Sequence, residues 1–147
     1  MKVQITHKPF NVSSNARVLY KIIQLLLILY FSRGKKASLS KIHLLVWVLE
    51  KKDRRNTILR SKELDYNQSI GLSGIDKNTN TALLYMFEDE LCGISKKTYS
   101  LTDKGNKFIE QIIKDKEVFL DEKDFFQKLG SSLTEKNVEK LEKLWIM

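Results

Sequence analysis

Between Thr79 and Glu110 the hydrophobic period of this chain changes twice, and few folds accept that within a single short stretch. The segment reads TNTALLYMFEDELCGISKKTYSLTDKGNKFIE. Leu83, Phe87 and Leu91 recur at i, i+4 and i+8 with Met86 alongside, which predicts one apolar stripe on a helix over residues 79–91. After a break at Cys92-Gly93, residues Ile94, Thr98, Tyr99 and Leu101 flank the polar pair Lys96-Lys97, as in two short strands joined by a tight turn. Thr102 then offers a side-chain oxygen to cap the next helix, and Asp103 sits in its first turn, where the helix dipole favours an acid.

A helix, a short hairpin and a helix opened by LTDKG make the back half of a winged helix-turn-helix. Such a module binds DNA or docks on other proteins, and it rarely carries catalysis. The predicted class is mainly α, an α+β winged helix-turn-helix with a short β-hairpin wing and a C-terminal helical extension. Upstream, Val18, Ile22, Leu25, Leu26 and Leu29 keep helical spacing, while Leu27 and Ile28 fill the other side. A helix from about Ser14 to Ser32, closed by Arg33-Gly34, is therefore buried nearly all round. Ser38 or Ser40 caps a second, almost wholly apolar helix over Ile42–Glu50. Residues 51–78 are harder to assign. KKDRR reads as a charged helix end, Ile58–Leu64 as a strand or short helix, and IGLSGID as a turn.

Residues 1–14 form an N-terminal arm, 15–116 the winged-helix domain and 117–147 the extension. Within that extension, helices are predicted over Asp121–Leu129, ended by Gly130, and from Thr134 onward. The expected core contains Leu25, Leu29, Leu45, Leu49, Leu83, Phe87, Leu101 and Phe108.

The run Val18–Phe31 is interrupted by Lys21 and Gln24 and falls short of the roughly 20 apolar residues that span a bilayer. No membrane partner is expected. The N-terminus carries no apolar signal core, and a single cysteine suits a reducing, cytoplasmic setting. With one cysteine and two histidines, His7 and His43, a zinc site of the usual spacing is excluded. His43 reads as a core histidine and Cys92 as a small core residue. The run Glu88-Asp89-Glu90 does not pair its carboxylates, since neighbours on a helix point about 100° apart. No P-loop, dinucleotide fingerprint or G-x-S-x-G is present. Neither catalytic residues nor cofactor nor metal are expected, and the chain is not expected to be an enzyme.

The net charge of +8 invites an anionic partner. Residues 111–147 hold seven lysines against eight acids, so the basic excess lies in residues 1–110. Its clusters are Arg33, Lys35, Lys36 and Lys41, then Lys51, Lys52, Arg54 and Arg55, then Lys96 and Lys97. Lys35, Lys36, Arg54, Arg55, Lys96 and Lys97 are the candidates for gripping a phosphate backbone without reading sequence. Solvated charges at loop tips explain them equally well. Sequence-specific reading would need Arg, Lys, Asn or Gln on the helix before the wing. Residues 79–91 contain three acids and neither lysine nor arginine. Asn80, Thr81 and Tyr85 could contact bases, but Glu88 and Asp89 would repel phosphates, so that helix suits a protein face better than a DNA groove. Tyr85, Glu88 and Asp89 are therefore candidate partner contacts. The apolar chain end, Trp145, Ile146 and Met147, joins them, because exposed Trp and Met favour interfaces.

The run RGKKASLSKIHLLVWVL, the pattern Asp76-x-x-x-Asn80-x-Ala82-Leu83 and the turn YSLTDKG together resemble the middle subunits of the ABC-three-component systems. These include the small subunit of Lamassu-type antiviral defence. The likeness covers roughly residues 15–113, and LTEKNVEKL near the end is also similar. It implies a small non-catalytic subunit that docks on a large SMC-like ATPase and holds an effector such as a nuclease in check. The other reading of the residues is a DNA-binding winged-helix transcriptional regulator, supported by the basic body and the wing lysines.

Overall fold

The computed structural model describes residues 14–67 and 77–146; for residues 14, 15, 77 and 144–146 it describes the backbone alone. The N-terminal arm, the IGLSGID turn, Asp76 and Met147 lie outside the described residues. The fold is mainly helical, with a small three-stranded antiparallel sheet. In chain order it runs α1 (Ser14–Phe31), β1 (Lys36–Ser38), α2 (Leu39–Leu49), α3 (Lys52–Glu63), α4 (Lys77–Glu88), β2 (Cys92–Ser95), β3 (Thr98–Leu101), α5 (Asp103–Lys114), α6 (Leu120–Leu129) and α7 (Glu135–Ile146).

A helix that is apolar on every side has to be enclosed, and α1 is. Ile22, Ile23 and Leu25 to Leu29 are all buried, and α2, α4, α5, α6 and the sheet pack around them. The helix stops where Ser32 turns its hydroxyl back to the Ile28 carbonyl (2.6 Å). A 3₁₀ turn then passes through Gly34 at φ +70°.

The next three residues form a strand the sequence reading does not contain. β1 pairs antiparallel with β3 (Lys36 with Ser100, Ser38 with Thr98), giving the sheet order β1-β3-β2. Only Ala37 of this strand is buried, so no alternating pattern was there to reveal it. Ser38 ends the strand and caps α2, accepting the Lys41 N–H at 3.1 Å.

Helix α3 also departs from expectation. KKDRR opens this helix instead of closing α2, and Ile58–Leu64 belongs mostly to its second half. Only Ile58 and Ser61 are buried along it, too narrow a stripe to announce a helix. It ends on a Schellman pair of hydrogen bonds, Asp65 N–H to Lys62 and Tyr66 N–H to Ser61. Tyr66 is thereby carried inward, and its hydroxyl meets the Ser132 Oγ at 2.6 Å.

The hairpin matches the predicted period. Ser95 pairs with Thr98, and Lys96 and Lys97 both have positive φ (49° and 65°). A two-residue turn of that kind matches the strands' right-handed twist. The predicted extension, 117–147, shares one hydrophobic cluster with the rest of the chain through Phe125, Phe126, Leu129, Leu133, Val138 and Leu141. Phe126 stacks on Phe31 with centroids 5.4 Å apart.

Candidate docking face

Two overlapping pairs three residues apart compete for the inner side of α4: Leu83 with Met86, and Leu84 with Phe87. The first wins. Thr79, Ala82, Leu83 and Met86 are buried and lie within one sector of the helix. Phe87, expected in the core, is 48% exposed. Four residues advance a helix about 40° beyond a full turn. That step carries position 87 away from an inner face centred on Ala82 and Met86. Leu91, the third member of the predicted stripe, is buried, but it lies beyond the end of the helix.

The helix stops at Glu88 through a second Schellman pair, Glu90 N–H to Phe87 and Leu91 N–H to Met86 (2.8 Å). Glu90 takes the left-handed position at φ 61°, where glycine is usual. The break therefore falls at Asp89-Glu90, and Cys92-Gly93 already belongs to β2. Every residue of the TDKG turn except Asp103 braces this corner. Thr102 accepts the Gly105 N–H (3.0 Å) and donates its hydroxyl to the Glu90 carbonyl (2.6 Å). The Lys104 ammonium reaches the Asp89 carbonyl at 2.9 Å and its carboxylate at 3.6 Å. Gly105 lets α5 approach the Leu91 backbone.

Asp89 is consequently buried in the corner and removed from the outer face on which it was expected to contact a partner. A carboxylate at the end of α4 is drawn inward because Lys104 balances it there. Tyr85 and Glu88 do lie outward, and Leu84 (54% exposed), Tyr85 (42%) and Phe87 form three large apolar side chains on one side of a short helix. From Asn78 to Glu88 that helix carries neither lysine nor arginine. Ile94 is exposed as well and shares a sheet face with Cys92. An open groove beside Phe87 is lined by Glu88, Glu90, Asp103 and Lys104. The sequence alone singles out none of Leu84, Ile94 and Asp103 as a partner contact, and it puts Phe87 in the core. The signal was the duplicated i, i+3 spacing, which always leaves one pair outside.

The candidate phosphate contacts do not gather into one patch. Lys35 donates to the Asn106 Oδ1 (2.6 Å) and stands 4.8 Å over the Tyr30 ring. Lys36 is exposed at the start of β1. Lys96 and Lys97 are exposed on the hairpin turn, where the Lys97 carbonyl accepts the Leu39 N–H at 3.1 Å, beside the start of α2. Arg54 and Arg55 sit at the opposite end of α2, about 16 Å away along that helix. Both are candidates for phosphate contact in the sequence, and in the structure both donate to its carbonyls. Arg54 donates to Trp47 O (2.9 Å) and stacks 4.1 Å over the Trp47 ring, and Arg55 donates to Leu49 O (2.8 Å). Trp145 and Ile146 end α7 with side chains outside the described residues, as is all of Met147.

His43 is half-buried on α2. Burial pushes the Cys92 thiol up to about 11, so it is neutral at ordinary pH and a poor nucleophile. Among the described residues no three His, Cys, Asp or Glu side chains converge as metal ligands, and no helix is long and apolar enough to cross a membrane. Compared with known proteins, the chain matches no family model, no curated protein and no solved structure.

Proposed function

We propose that this chain is a non-catalytic accessory subunit of an SMC-like ATPase complex in cytoplasmic antiviral defence. It docks on the ATPase and links it to an effector such as a nuclease. The observation that carries this reading is the outer face of α4, where Leu84, Tyr85 and Phe87 stand exposed beside Glu88 with no cation among them. On a winged helix-turn-helix this is the face that would enter a DNA groove. Aromatic and aliphatic side chains there favour a protein surface, and an acid disfavours phosphate. The order α1-β1-α2, then α4 and the β2–β3 hairpin after the additional helix α3, with β1 completing the sheet, supports the winged-helix reading. The resemblance of RGKKASLSKIHLLVWVL and YSLTDKG supplies the choice of partner.

Lys96 and Lys97 favour an additional, sequence-independent contact between the wing and DNA, because both are exposed at a tight turn. The regulator reading would have to contact bases through Asn80, Thr81 and Tyr85 on a helix whose exposed Glu88 repels phosphate. Co-expression with the neighbouring genes, followed by pull-down and native mass spectrometry, tests the choice. A stable assembly containing a long coiled-coil ATPase is expected. A homodimer with no ATPase bound refutes the accessory-subunit reading.

A further inference from the structure

The α4 face is apolar at its centre and acidic at its edge, on a chain whose net charge is +8. Glu88, Glu90 and Asp103 line the groove beside Phe87, and all three are exposed. The one cation in that groove, Lys104, spends its ammonium on Asp89. The local field is thus negative while the rest of the molecule is basic.

From this juxtaposition we infer that the α4 face receives an amphipathic helix of another protein, apolar along one side and flanked by lysine or arginine. The inference rests on the docking reading above and specifies the partner's chemistry. Charge complementarity selects a basic segment. The ridge formed by Leu84 and Phe87, three residues apart and flanked by Tyr85, suits a helix lying across α4. An added strand fits less well, since β2 is four residues long and ends at two lysines that repel a basic partner.

The test places a photo-reactive phenylalanine analogue at Tyr85 in the full-length chain, irradiates cells of the native host and sequences the cross-linked peptide. The expected peptide has apolar residues at i, i+3 or i+4 and a net positive charge. Capturing some protein is not by itself support; the composition of the segment decides. The double variant Glu88→Lys/Glu90→Lys, checked for a cooperative thermal melt no lower than that of the wild type, should lose at least tenfold in cross-linking yield. An acidic or uncharged segment, a second copy of this chain, nucleic acid, no cross-link, or a yield unaffected by charge reversal would each overturn the inference. The two readings fail separately. A basic helix from a protein with no ATP-binding motif sinks the ATPase assignment alone, whereas an ATPase captured through a non-basic segment sinks only the partner chemistry.

Discussion

Gly105 lies against the backbone of Leu91 so closely that a Cβ at position 105 would stand 2.1 Å from the Leu91 carbonyl oxygen. The obstacle is backbone, not a side chain that can swing away, and the same corner holds the end of α4 and the start of β2. Gly105→Ala should therefore cost at least about 2–3 kcal/mol, seen as a lower denaturant midpoint with an unchanged slope. A loss under about 0.5 kcal/mol, the scatter of neutral surface changes, would show that α5 does not pack this tightly.

The choice between the two apolar pairs of α4 can be read from stability. Met86 is fully buried and Phe87 half exposed. Met86→Ala should cost about 2–5 kcal/mol. Phe87→Ala should cost roughly 1 kcal/mol, because the ring has only about half of its burial to lose. Equal losses in urea melts would put the helix in the other phase.

Much of this was legible and some was not, for reasons that can be named. The enclosed α1, the Ser38 and Thr102 caps, the Lys96-Lys97 turn and the stop at Gly130 all follow from local chemistry that tertiary contacts did not override. The phase of α4 was ambiguous because LL-x-MF offers two stripes, and burial of Ala82 and Thr79 chose between them. β1 and α3 were missed because each buries only one or two side chains. On α4 the absence of cations picks out Tyr85 and Glu88, which do lie outward, whereas Phe87 reads as core. Sequence does not show that Arg54 and Arg55 reach the α2 carbonyls of Trp47 and Leu49, since the turn of chain between them is set by tertiary packing.

Glu90 holds a left-handed conformation that costs a non-glycine residue about 1 kcal/mol. It also puts a negative charge at a helix C-terminus. Glu90→Gly should stabilise the fold by about 0.5–1 kcal/mol in a thermal melt. A destabilised variant would mean that the Glu90 side chain supports the corner.

Alkaline pH should weaken the fold through the buried Cys92 thiol and the half-exposed Tyr20 hydroxyl. Burial raises the Cys92 thiol from 9.0 to about 11, and burial together with the Glu122 carboxylate raises the Tyr20 hydroxyl from 10.0 to about 12. Both folded values lie above the unfolded ones, so the unfolded chain loses its protons first. Their stabilisation is complete below about pH 9 and is lost as pH rises toward 12. Denaturant midpoints should fall across that window, and Cys92→Ala should flatten its lower part. A midpoint that is flat to pH 12 would contradict both shifts.

If the wing touches DNA, Lys96→Ala/Lys97→Ala should lower the slope of log affinity against log salt by up to about 0.9 per lost phosphate contact. Arg54→Ala and Arg55→Ala should instead lower stability, by about 1–2 kcal/mol each for lost carbonyl capping and, at Arg54, the stacked Trp47. Filter binding over a salt series alongside denaturant melts separates the two. A full salt slope in the double lysine variant would make the wing lysines merely solvated.

The α4 face is the centre of the account, and calorimetric titration of the proposed SMC-like ATPase subunit into the purified chain tests it most directly. The wild type should bind, and Leu84→Ala/Phe87→Ala should weaken binding by at least about 30-fold, corresponding to about 2 kcal/mol of lost anchor contacts, with little change in stability. If the double variant binds the ATPase as tightly as the wild type, the exposed face of α4 is not the docking surface and the central claim is wrong.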